Sequence, residues 1–155
     1  MYRGSSFLLQ NAYTVHHDVI EVLASSDSDI LWHNEIGWKD DRVAVEAVLR
    51  AAENIRDAYR AFVNATDTLV TKVLLGTVAC VPALDRYFLD GFKDAGFKGR
   101  PLNRNRLEQL VGFCRENAVV LRNEQARIKR KYGFEYPAMK LVDMYFNQRG
   151  LELDK

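Results

Sequence analysis

Nine residues, Val45, Val48, Ala52, Ile55, Tyr59, Phe62, Thr66, Leu69 and Val73, recur along the chain at alternating spacings of three and four. That is the repeat of one face of an α-helix, and Thr66 is its sole polar member. A stripe this regular predicts a helix of about nine turns with one side to bury. Asp40 and Asp41 stand at its start, where carboxylates accept free N–H groups and meet the positive end of the helix dipole. Glu46 and Arg50, four residues apart, are placed to pair on its outer surface.

A second stripe repeats the pattern: Leu107, Val111, Cys114, Ala118, Leu121, Gln125, Ile128 and Tyr132, beginning near Pro101 or Asn103 and ending at Gly133. Two narrow stripes of this length predict two long helices packed side by side, roughly antiparallel, at the centre of a bundle. Shorter helices are expected over residues 6–24, 82–95 and 137–149, the last opening at Pro137 and stopping at Gly150. The glycine-bearing stretch 90–101 reads as a loop. No run alternates apolar and polar residues long enough for a sheet. The expected fold is therefore all-α, a bundle of about five helices. At 155 residues the chain has room for one core, and residues 1–155 are read as a single domain.

The most apolar stretch, "LVTKVLLGTVACVPALDRYFLD" at residues 69–90, raises the question of a membrane. Its longest run without a charge, Val73 to Leu84, would reach about 18 Å as a helix, well short of a hydrocarbon core of roughly 30 Å. Gly76 and Pro82 interrupt it, so two helices meeting at a buried turn are expected and no membrane is called for. Cys80 and Cys114 lie in apolar helical context and read as buried free thiols. The first residues carry only a three-residue apolar run after Ser6 and no small-residue cleavage site, so the expected location is the cytoplasm.

Charge is unevenly spread. Residues 1–50 carry 4 Lys/Arg against 8 Asp/Glu, whereas residues 101–155 carry 11 against 7. A basic C-terminal part invites an anionic partner. Within it, Arg127, Arg130, Lys131 and Tyr132 combine cations with a stackable ring, as single-stranded nucleic-acid sites do. Lys98, Arg100, Arg104 and Arg106 gather around a glycine-containing loop that enters a helix N-terminus, an arrangement suited to a phosphate or carboxylate. Trp32, His33 and Trp38 fall in a short connection, where large aromatics can anchor a partner. His17 and Glu21, four apart on one helical face, have the spacing of two ligands to a single metal ion.

No nucleophile elbow, P-loop, Arg-x4-His nuclease motif or Glu-x-x-Glu pair is present. The sequence thus implies no cofactor and reads as a non-enzymatic interaction or regulatory protein, with a protein partner or self-association ahead of nucleic acid, and a metal-dependent enzyme third.

Overall fold

The computed structural model describes residues 11–32, 41–99 and 101–155. Among them run eight α-helices and no strand: α1 (His17–Ala24), α2 (Asp29–Trp32), α3 (Asp41–Tyr59), α4 (Asp67–Thr77), α5 (Arg86–Asp94), α6 (Arg104–Glu116), α7 (Ala118–Tyr132) and α8 (Ala138–Glu152). No helix is long and apolar enough to cross a membrane among the described residues. Helix α3 packs against α1, α2, α4 and α6, α5 crosses α8 closely, and α7 touches both α6 and α8. One continuous apolar core runs through all eight.

Neither long stripe is a single helix, so the expected count of about five and the pair of long central helices give way to shorter elements. The first stripe holds through Val45, Val48, Ala52, Ile55 and Tyr59, all buried, and then fails at Phe62, which is 54% exposed. Thr66 is the reason. Its backbone is extended and its hydroxyl accepts the Leu69 N–H at 3.3 Å, so the polar member of the stripe caps a new helix instead of continuing the old one. In the second stripe the interruption is one residue, Asn117. Its side-chain amide and its backbone N–H both donate to the Phe113 carbonyl, which ends α6, while its own carbonyl accepts from Leu121 and starts α7. Gly133, at φ +80°, closes α7 as expected.

Toward the N-terminus the predicted helix over 6–24 is shorter. Residues 13–16 form a 3₁₀ turn before α1, and residues 6–10 lie outside the described part. Val19 and Leu23 are buried, but Tyr13 and Ile20 are exposed, so only one side of this segment reaches the core. His16 Nδ1 and the buried Tyr59 hydroxyl are hydrogen bonded at 2.7 Å, which ties this turn to α3.

The apolar stretch between α4 and α5 is a buried, non-helical link. Residues 80–84 are all inaccessible, including Pro82. A backbone taken out of water must find partners for its polar groups. Here side chains supply them: the Thr68 hydroxyl donates to the Leu84 carbonyl (2.8 Å), Thr71 Oγ1 accepts the Leu84 N–H (2.9 Å), and Asp143 Oδ1 of α8 accepts the Ala83 N–H (2.9 Å).

The α5–α8 crossing rests on two glycines that the sequence suggested were a turn and a helix stop. Gly91 and Gly150 both lie inside helices. A Cβ on Gly91 would overlap the Phe146 carbonyl oxygen, and one on Gly150 the Tyr87 carbonyl oxygen. Gly150 therefore does not end α8; it lets the two backbones touch. Phe88, Phe92, Phe97, Phe113 and Phe146 pack edge to face and stacked around this crossing, with ring centroids 4.4–6.0 Å apart.

Candidate functional site

The short helix α2 exists because Asp29 starts it and the buried Leu31 fixes it to the core. The next residue, Trp32, is left half-exposed, with its indole N–H directed at the Leu23 carbonyl 3.4 Å away. Its ring forms one wall of a cleft of about 590 Å³. Val78 and Ala79, at the end of α4, and Ala138 contribute apolar surface; Arg122, Gln125, Ala126 and Lys129 of α7 form the opposite wall, and residues 135–137 close one end. Gln125 donates to the Tyr136 carbonyl (2.8 Å), which fixes that end against α7.

Two details give the cleft its character. Ala79 has φ +51°, a left-handed conformation that costs an L-residue about 1–2 kcal/mol, and its N–H closes on the Leu74 carbonyl at 2.8 Å. Glycine usually occupies such a position at the end of a helix; here a methyl group lines the cleft instead. Lys129 is ion-paired with Glu135, whose carboxyl that contact holds below its usual range, whereas Arg122 makes no ion pair among the described residues. Arg122 is thus the cation the cleft offers to a ligand.

Comparison with known protein families, with curated proteins and with solved structures finds no match for this chain.

The structure brings one sequence candidate, Trp32, to cations of α7 and leaves the other candidates apart. Trp32 shares the cleft with Arg122 and Lys129 of α7, which lie outside the basic candidate set, while His33 and Trp38 lie outside the described residues. Arg127, Arg130, Lys131 and Tyr132 are exposed along α7 but do not line the cleft. Arg127 pairs with Glu124, and Lys131 lies 5.0 Å over the Tyr132 ring, which stacks on Phe134 with centroids 6.1 Å apart. His17 and Glu21 are both exposed, and no group of three potential metal ligands gathers among the described residues.

The four cations of the glycine loop part company. Lys98 is exposed, Arg100 lies outside the described residues, and Arg104 forms an ion pair with Glu46 of α3. Glu46 is therefore engaged between helices, and not along its own helix as its spacing from Arg50 suggested. Arg106 is the surprise: it is 1% exposed. The signal was present in the sequence, since Arg106 stands four and eight residues before Leu110 and Cys114 and so shares their apolar row. Sequence reasoning also missed Asp67. Its two oxygens accept from Arg56 Nη2 and the Leu102 N–H, each at 2.6 Å, joining α3, α4 and the segment that enters α6.

Proposed function

We propose that this protein is a non-enzymatic binding module of the cytoplasm whose cleft between Trp32 and α7 takes an acidic segment of a partner protein, with an apolar side chain of that segment against the indole. The observation that carries the reading is the meeting, in one concavity, of a half-exposed tryptophan, apolar surface and Arg122, which has no ion pair among the described residues. Trp and Arg are the residues in which binding energy concentrates, and an arginine can hold a carboxylate with two parallel hydrogen bonds. Buried free thiols suit a reducing compartment.

The test uses a labelled peptide rich in Glu and Leu, its Lys/Leu counterpart and a labelled oligothymidylate, each at low and physiological ionic strength. Binding of the acidic peptide alone, weakened by roughly thirtyfold in Trp32→Ala and lost in Arg122→Glu, is the expected result; that factor corresponds to about 2 kcal/mol for an aromatic anchor.

A second reading, single-stranded nucleic acid, is favoured by the cations and the stacked Tyr132 and Phe134 beyond the cleft. It predicts oligothymidylate binding whose affinity falls by roughly 0.7 log units per log unit of salt for each phosphate neutralised. Arg127, Arg130 and Lys131 changed together to Ala would then abolish it. Binding of neither probe removes both readings.

A further inference from the structure

Arg106 Nε, Nη1 and Nη2 are all buried, and among the described residues none has a hydrogen-bond partner. An ordered guanidinium presents five N–H donors, and removing them from water without acceptors is among the costlier arrangements a fold can hold. What surrounds it compensates only in part. The Phe92 ring lies beneath its Cζ at 5.1 Å, and the carboxylate that acts on it through space, Asp67, already serves Arg56 and the Leu102 N–H. Burial lowers the Arg106 pKa and Asp67 opposes that shift, yet the group stays charged.

The guanidinium is aimed at the loop between α5 and α6. Arg106 Nη2 comes within 3.7 Å of where a Cβ on Gly99 would sit, and Gly99 at φ +96° and Gly96 at φ +92° shape the loop over it. Phe97 anchors the near end of that loop against Phe113 of α6, and its outer part is hydrogen-bonded to α6 through Gln109, which accepts the Lys98 N–H (3.1 Å) and donates to the Lys98 carbonyl (3.3 Å). Asn103 caps α6 by accepting the Arg106 N–H at 2.9 Å, so the first turn and its positive dipole end also face this region. Orphaned donors, a glycine-built cover with a two-bond latch, a helix start and the exposed Lys98 converge on one spot.

We infer that this spot is a binding site for a compact oxyanion of the size of phosphate, held by the Arg106 fork beneath the Lys98–Gly99 backbone and reached when the Gln109 latch opens. Either inorganic phosphate or the phosphate group of a small ester supplies the required chemistry. The site is independent of the Trp32 cleft.

Titrate the whole chain with inorganic phosphate and with glycerol 3-phosphate at constant ionic strength set by chloride, reading the melting temperature. Saturable stabilisation of about 5–10 °C at a hundred times the dissociation constant is expected for the wild type. In Arg106→Met it should vanish while the fold is kept, since an apolar group of similar length relieves the buried charge. Arg106→Lys, which keeps the charge and loses the fork, should bind at least tenfold more weakly, and Gln109→Ala should bind faster by stopped-flow. Response to phosphate but not to the ester identifies the free ion; response to both, with the ester at least as tight, identifies a phosphorylated small molecule. Equal stabilisation of wild type and Arg106→Met, which is what general salt exclusion produces, overturns the site, as does no stabilisation of the wild type. Should Arg106→Met not fold, calorimetric titration of wild type against Arg106→Lys decides by the same criterion.

Discussion

Gly150 sets two rules against each other at one atom. Helix propensity favours Ala over Gly by about 1 kcal/mol, while the α5–α8 contact leaves no room for a methyl group. The steric term should win: Gly150→Ala is expected to lose about 3 kcal/mol, at the upper end of overpacking, because the obstacle is backbone and cannot rotate away. Gly76, also helical but with open space where its Cβ would be, is the control, and Gly76→Ala should gain about 0.5–1 kcal/mol by chemical denaturation. Losses of similar size at both positions would mean that α5 and α8 are not in backbone contact.

At the same scale, burial raises the carboxyl of Asp143, against the opposing Ala83 N–H and the nearby Lys140. Above both the folded and unfolded values the native state carries the cost of a buried charge. As pH falls through the raised folded value the native carboxyl takes up its proton first, and stability recovers relative to a chain without the group. Asp143→Asn keeps an acceptor for Ala83 and should be at least as stable as wild type near neutrality. Its advantage in denaturation midpoint should shrink between about pH 7 and pH 4. A gap that widens on acidification would reverse the assignment.

At the scale of elements, the sequence legibly announced helices and many of their ends, because caps are local chemistry: Asn103 and Gly133 act where their residue types say they should. What it concealed was long-range. Thr66 fits a stripe and a cap equally well, and only burial on both sides of the turn decides between them. Gly91 and Gly150 look like punctuation until two backbones are known to meet. The link over residues 80–84 can leave helical structure only because Thr68, Thr71 and Asp143, up to 60 residues away, receive its polar groups. The site divides the same way. Trp32 and the basic character of the C-terminal part could each be read from sequence, but the meeting of Trp32 with Arg122 and Lys129, and the burial of Arg106, depend on packing.

For the whole molecule, the two thiols are built-in reporters. Cys80 lies in the buried link and Cys114 on α6, each nearly inaccessible and each with its pKa pushed up to about 12 by burial. Alkylation by iodoacetamide requires thiolate and access, so neither should react in the native state at neutral pH. If residues 1–155 form one cooperative domain, both should become reactive together, with the same dependence of rate on denaturant. Separate dependences would reveal two folding units.

The crossing of α5 with α8 also orders events in time. Phe88 and Phe92 of α5 close against Phe146, and the Ala83 N–H waits for Asp143. Both partners are translated some fifty to sixty residues later, while a growing chain still has its most recent residues inside the ribosome. The first two thirds of this chain therefore emerge with an open apolar face and an unsatisfied loop, in need of shelter until α8 is free to seal them.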